Sequence, residues 1–266
     1  MLEDTLLNMG IIIPVLNEGN NIQALILKIR AELQGHRYTI CVVDDGSTDH
    51  TIAVLQDLIK TDSRIHLIQR VKEKTGCQRG GASLCAVEWL VHHTDHSIFV
   101  EVDADGAHRP EELVLGAKCI VLLNFDVTIA SKYVYGSCVI GRSAWRKLIS
   151  FFYSMLARLL ISRSIRDYSN SFRFYSREAA LCLLHLKPHY TSPIYLLETL
   201  VMWIANHFRI IEIPTIYIER NKGRSKVQWV DLMKGFLGTI VITWRYYSKK
   251  YQLKNGAKAE KLTLLL

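Results

Sequence analysis

Four short, mostly apolar runs rich in β-branched residues punctuate the first half of the chain: residues 10–14 (GIIIP), 38–43 (YTICVV), 97–102 (SIFVEV) and 126–131 (DVTIAS). Each ends in turn or carboxylate chemistry, the pattern of strands buried within a parallel sheet. Between them the apolar spacing lengthens to three and four. Residues 20–34 place Ile22, Leu25, Ile26, Ile29 and Leu33 on one helical face, and helices are likewise predicted over 48–60, 80–93 and 110–122. Asn, Ser, Thr or Asp precedes several of these segments, with Ser47 or Thr48 a candidate cap, and Pro110 suits the first turn of its helix. Strand and helix alternating at this interval predict an α/β fold on an open sheet, whose ligands sit at the carboxyl ends of the strands. Pro14–Glu18, Asp44–Asp49 and Asp103–His108 all fall there.

Beyond residue 142 the pattern changes. Trp145, Leu148, Ile149, Phe152, Leu156, Leu159 and Leu160 follow helical spacing among Arg142, Arg146, Lys147, Arg158 and Arg163, a basic amphipathic helix within 142–163. A second amphipathic helix is predicted from Trp229 to Tyr247, inside a segment 228–251, and a mobile tail over 252–266. Periodicity leaves two readings of these helices open: packing on the sheet, or lying on a membrane surface. Charge-free windows such as Gly235 to Trp244 fall short of the roughly 18 apolar residues of a spanning helix. The acidic N-terminus does not read as a secretory signal, so a cytoplasmic protein, peripheral at the cytosolic face of a membrane, is expected.

Composition narrows the class. At 266 residues and 49% hydrophobic, the chain can bury a sizeable core, which excludes general disorder. Its six cysteines lack a CxxC pair and read as reduced, mostly core residues. The net charge of +8 is unevenly divided: residues 1–141 carry −6 and residues 142–254 carry +13, so the second part is expected to face something anionic. Its cations are interleaved with apolar stripes and no nucleic-acid motif accompanies them, so no nucleic-acid partner is expected.

Asp103-Ala104-Asp105, directly after a strand, places two carboxylates where they could share one hard cation, with Ala104 keeping the turn small; an Asx-turn is the alternative. Val43-Asp44-Asp45-Gly46-Ser47 repeats the arrangement and could accept hydrogen bonds from a base or ribose, or simply cap a helix. No glycine-rich fingerprint follows the first strand, and the glycines of Thr75–Gly81 have the wrong order, which argues against a dinucleotide enzyme. After the strand-like IIEIPTIYI of residues 210–218, Arg220, Lys222, Arg224 and Lys226 surround Gly223, a set able to hold phosphate or to lie solvated.

The succession IIIPVLNEGNNI, VVDDGSTDHT, VDADGAHRPEEL, IASKYVYGS, RDYSNSFRFY and IERNKGRSK resembles the family 2 glycosyltransferases of the GT-A fold, most closely the dolichol-phosphate mannosyltransferase and polyprenyl-phosphate glycosyltransferase group. The resemblance covers roughly residues 9–230. It implies a GT-A domain over 1–227, with Pro14, Glu18, Val43 and Asp45 lining a nucleotide pocket and Asp103 and Asp105, flanking Ala104, holding Mg²⁺ or Mn²⁺. Lys132, Arg220 and Lys226 would contact donor diphosphate or acceptor phosphate, with Asp105, Lys132 and Arg220 the catalytic set, while Arg166, Asp167 and Arg173 match a further family segment. Three positions depart from the family: Leu16 stands where an aromatic is common, Ala107 where a Gln or Ser ligand is common, and Ser171 where a glycine is usual. The metal would then rely on water, His108 or two carboxylates alone.

The implied activity is inverting transfer of a sugar from a nucleotide-diphosphate sugar, GDP-mannose or a UDP-sugar, to a polyprenyl or dolichyl phosphate. Two alternatives remain open at the level of sequence. A hydroxyl acceptor would need a base such as Asp167, and a degenerate protein could bind nucleotide-sugar without turnover.

Overall fold

The computed structural model describes residues 5–71, 78–219 and 229–253. The elements run β1 (Asn8–Val15), α1 (Ile22–Glu32), β2 (Arg37–Asp44), α2 (Thr51–Thr61), β3 (Ile65–Gln69), α3 (Arg79–His93) and β4 (Ile98–Glu101). A 3₁₀ turn at Pro110–Glu112 leads into α4 (Leu113–Val121), then β5 (Val127–Ser131), β6 (Cys138–Ile140) and α5 (Ala144–Leu160). The chain continues through β7 (Arg173–Ser176), α6 (Arg177–Leu186), α7 (Tyr195–Ala205), β8 (Ile210–Pro214), β9 (Ile216–Ile218) and α8 (Trp229–Tyr247).

Seven strands form one sheet in the order β3-β2-β1-β4-β7-β5-β8, and β6 pairs with β9 apart from it. The pairs β3–β2, β2–β1, β1–β4 and β5–β8 are parallel; β7 runs antiparallel to both neighbours. Successive strand side chains point to opposite faces, so β1 divides its residues between two cores. Ile11 and Ile13 join Ile26, Leu55 and Leu113 under α1, α2 and α4, while Ile12 joins Ala86, Leu90 and Leu200 under α3, α6 and α7. Both faces are covered, which is why these strands read as unbroken apolar runs rather than alternating ones.

Two elements differ from the sequence pattern. Helix α2 begins at Thr51 rather than 48, because Ser47 and Thr48 are used by the neighbouring loop: Asn17 N–H donates to Ser47 Oγ at 2.8 Å and Thr48 N–H donates to Asn17 Oδ1 at 2.7 Å. Instead Asp49 Oδ1 accepts the Thr51 N–H at 3.0 Å. Strand β5, read as one of four parallel strands, is parallel to β8 but antiparallel to β7, which separates it from β4.

Helix α5 is inverted relative to a helix packed by its apolar stripe. Its buried residues are the small Ser150, Ser154 and Ala157, whereas Trp145, Leu148, Phe151, Phe152, Met155 and Leu159 are exposed. Helix α8 likewise buries Thr239 and Ile242 and exposes Phe236, Leu237, Ile240, Val241 and Trp244. Tyr247 at its end donates to Leu160 O at the end of α5, so the two helices meet there. No described helix is long and apolar enough to cross a membrane.

The chain after α8 is tied down as far as Leu253: Tyr251 Oη donates to the buried Glu198, and Leu253 N–H donates to Asn206 Oδ1 at 2.8 Å. Residues 254–266 lie outside the described residues. Cys41, Cys85, Cys119, Cys138 and Cys182 are free thiols, with Cys138 exposed rather than in the core.

Candidate active site

The register of β1 against β2 sets Pro14 opposite Val43, and both strands end within two residues of that pair. Asp44 closes an Asx-turn there, accepting from Gly46 N–H at 3.0 Å and from Ser47 N–H. Asp45 N–H donates to Val15 O at 3.0 Å, and the Asp45 carboxylate pairs with Arg70 at 3.2 Å. Glu18, also buried, accepts from Asn21 Nδ2 at 2.8 Å, and its N–H donates to Thr51 Oγ1 at 2.9 Å. The four positions assigned to a nucleotide pocket, Pro14, Glu18, Val43 and Asp45, thus stand together at one end of two adjacent strands.

Asp103 follows β4 and is held on every side. Its N–H donates to His108 Nδ1 at 3.0 Å, its Oδ2 accepts from Ser171 Oγ at 2.9 Å, and its Oδ1 meets Arg79 Nη1 in an ion pair. His108 Nε2 lies 3.6 Å from Asp103 Oδ2. Burial, then the positive charges of Arg79 and Lys132, push His108 far below the ordinary histidine range, so the ring is neutral. With Nδ1 accepting a backbone N–H, the proton resides on Nε2 and points to the Asp103 side. His108 therefore braces Asp103, which favours water or the two carboxylates alone among the three options the sequence left open for the metal. Ser171 likewise acts on the carboxylate. Asp105 Oδ1 accepts from Ala107 N–H at 3.1 Å, a tight turn made possible by Gly106 at φ +78°. Ala104 and Ala107 are buried, and their side chains have no ligating atoms.

Among the described residues no cluster of three or more His, Cys, Asp or Glu side chains is placed to hold a metal. Two oxygen-bearing carboxylates remain, Asp103 and Asp105, with a cation already drawn to Asp103. That donor set fits Mg²⁺ or Mn²⁺, hard ions that take one or two carboxylates and fill their shell with water and substrate phosphate.

Lys132, immediately after β5, points its ammonium at Asp167 Oδ2, 3.2 Å away, and both side chains are buried. Burial lowers the Lys132 pKa, partly opposed by Asp167. Burial works against ionised Asp167 too, but Lys132 and the N–H and O–H donors of Lys132 and Ser169 outweigh it and hold the carboxyl below its ordinary range. Ser169 N–H, Ser169 Oγ and Asn170 N–H all donate to Asp167 Oδ1, at 2.9, 2.8 and 3.0 Å. A carboxylate this fully engaged and held below its ordinary range is a poor proton acceptor, which argues against Asp167 as the base of the alternative mechanism. Arg173 is also structural: buried, it donates to Asn170 O at 2.9 Å and Leu196 O at 2.6 Å. Arg166 is exposed. Segment 167–171 thus joins the two halves of the site, anchoring Lys132 at one end and Asp103 at the other.

Beside Lys132 opens a cavity of about 360 Å³, lined by Lys132, Arg142 and Lys147 and by the apolar Val139, Leu148 and Phe151. Arg142 and Lys132 both lie over the Tyr217 ring. Arg220, Gly223, Arg224, Ser225 and Lys226 lie outside the described residues. Sequence reasoning missed Arg70 and Arg79. Arg79 lies inside the glycine-bearing stretch Thr75–Gly81 that fails as a dinucleotide fingerprint, and Arg70 lies just before it; a cation directly preceding two glycines was the available signal.

A mostly parallel seven-stranded sheet with carboxylate turns after β1, β2 and β4 defines a GT-A glycosyltransferase. The glycosyl transferase family 2 model matches residues 10–184, and the chain belongs to that family. It is 35% identical over 224 residues to polyprenol monophosphomannose synthase of Mycolicibacterium smegmatis, covering 82% of this chain and 80% of that one. To dolichol-phosphate mannosyltransferase of Pyrococcus furiosus it is 31% identical over 84% of its own length, spanning 60% of the relative. Glucosyl-3-phosphoglycerate synthase of Mycobacterium tuberculosis, solved with Mn²⁺, UDP and phosphoglyceric acid, superposes with a TM-score of 0.64 at 17% identity, over 93% of this chain and 80% of that one; this likeness concerns the fold.

Proposed function

We propose that the protein transfers one sugar, with inversion, from a nucleoside-diphosphate sugar to the phosphate of a polyprenyl or dolichyl phosphate, using Mg²⁺ or Mn²⁺, peripherally at the cytosolic face of a membrane. The observation that carries this reading is the cavity of about 360 Å³ beside Lys132, where three cations share a small space with an apolar wall. A lipid phosphate has that pair of properties. Its dianion, formed above a second pKa of about 6, is already a nucleophile, which agrees with a site whose nearest carboxylate, Asp167, is committed to Lys132.

Each residue then has a task. Glu18 and Asp45 supply acceptors for base and ribose at the ends of β1 and β2. Asp103 and Asp105 would hold the divalent ion, which when bound stabilises charge on the departing nucleoside diphosphate. Lys132 adds positive charge toward the same leaving group, a task the family resemblance also gives to Arg220, which lies outside the described residues, while Arg142 and Lys147 orient the acceptor phosphate for in-line attack on the anomeric carbon. The exposed apolar faces of α5 and α8, flanked by Arg142, Arg146, Lys147, Arg245, Lys249 and Lys250, suit an anionic lipid surface. Mannose is the first sugar to test, since it is the one named in both relatives.

The decisive assay incubates the protein and Mg²⁺ with a panel of nucleotide sugars and either a short-chain polyprenyl phosphate or the matching polyprenol, and weighs the lipid product. Glycosylated polyprenyl phosphate, with no product from polyprenol, is the expected result. Equal product from polyprenol overturns the proposal.

A further inference from the structure

Asp103 presents only one oxygen to an incoming cation. Oδ2 is engaged by Ser171 Oγ at 2.9 Å and flanked by His108 Nε2 at 3.6 Å. Oδ1 is the other, and Arg79 already holds it. Arg79 is the first residue of α3, and its side chain is only 16% exposed, so the guanidinium is enclosed in the site rather than waving over it. A second anion stands ready for it: Glu101 Oε2 lies 3.9 Å from Arg79 Nη2 and is itself buried. Tyr195 and Tyr175 hydroxyls donate to the other oxygen of Glu101, at 2.5 and 3.3 Å, and fix that carboxylate in place.

We infer that Arg79 is a further residue of the donor site: it occupies Asp103 Oδ1 in place of the divalent ion, and when the ion arrives with the nucleotide it shifts toward Glu101 and the donor diphosphate. The inference rests on the metal-dependent reading above. Its physical content is competition between two cations for one oxygen. The metal alone must displace Arg79 against charge repulsion, whereas metal and diphosphate together provide the guanidinium with an anionic partner. Metal and nucleotide binding should therefore be positively coupled through this one side chain.

Mn²⁺ binding followed by electron paramagnetic resonance, with and without a nucleoside diphosphate, tests this without any turnover. In Arg79→Gln, Mn²⁺ alone should bind about tenfold more tightly than in the parent protein, the scale of removing one like charge in contact. Nucleoside diphosphate should bind that variant more weakly, and the enhancement of Mn²⁺ binding by nucleotide should shrink. Arg79→Lys, which keeps the charge, should stay near the parent. Opposite shifts for metal and nucleotide distinguish competition from misfolding, which weakens both. Unchanged or weaker Mn²⁺ binding by Arg79→Gln, or a Lys variant that behaves like the Gln one, overturns the inference while leaving the metal site standing. Absence of Mn²⁺ binding by every protein, even with nucleotide, overturns the metal site and the inference together.

Discussion

Lys132 and Asp167 are buried together, and neither is stable there without the other. Removing one partner of such a pair strands the remaining charge, at a cost of about 3–5 kcal/mol. Asp167→Asn should accordingly lower stability to urea by that order, and Lys132→Met in the same chain should recover part of the loss, as equilibrium unfolding would show. A single variant as stable as the parent would mean the pair is hydrated in solution. The sequence made Asp167 available as a base, because its burial and the two Lys132 donors, the N–H and the ammonium, come from a fold that brings residues 132 and 167 together. His96 provides a test by pH. Its Nδ1 bonds Asn8 Oδ1, and burial, with Arg37 and Arg177 opposing the pull of Asp95, drives its pKa down to about 4. The unfolded chain, with a histidine pKa near 6.5, takes up this proton first, so stability present above pH ~6.5 is lost as pH falls toward about 4. The loss attributable to this residue is at most about 3 kcal/mol, and His96→Gln should flatten that part of the curve.

At the scale of elements, periodicity located α5 and α8 but could not show which way they face. The answer lies in what occupies the other side: Ser150, Ser154 and Ala157 are small enough to seat α5 closely, leaving its large residues outside. Phe152→Asp with Leu159→Asp should then abolish sedimentation with anionic vesicles while leaving the melting temperature almost unchanged, because both side chains are already exposed. High salt should release the parent protein, since each surface cation contributes on the order of 1 kcal/mol. Vesicle binding by the double variant at parental strength would assign these faces to another use. The opposite case is Gly116 on α4, where an added Cβ would come within 2.4 Å of the buried Phe174 ring. Gly116→Ala should cost about 1–3 kcal/mol through overpacking, read as a lower urea midpoint with an unaltered slope.

For the molecule as a whole, β1, β2, β4 and β5 were legible as apolar runs and β8 and β9 as the strand-like 210–218, and the carboxylate turns after β1, β2 and β4 stand together at one end of the sheet. Strand β3 was missed because only Ile65 is fully buried in its burial pattern, so it carries little apolar signal. Strand β7 was missed because four residues containing Arg173 and Ser176 do not resemble an interior strand. Arg173 is tolerated there because its guanidinium finds carbonyl partners that no local pattern reveals. In three dimensions that strand decides the architecture, since it joins β4 to β5 and brings Ser171 to Asp103.

Strand β7 also imposes an order on the birth of the molecule. The block β3-β2-β1-β4 draws its strand pairs from residues 8–101, so it can assemble as soon as that stretch has left the ribosome. The antiparallel β4–β7 ladder must wait: it links Ile98 to Ser176 and Glu101 to Arg173, so α5 has to be synthesised first. Such distant pairing is the slow, entropy-limited part of folding. Pulse-labelled hydrogen exchange during refolding should find β1 and β2 protected before β5 and β8, and simultaneous protection would refute this sequence of events. The chain therefore acquires its greasy, cationic helix before Asp103 and Lys132 receive their final partners, and a nascent polypeptide could reach a lipid surface while still unable to catalyse anything.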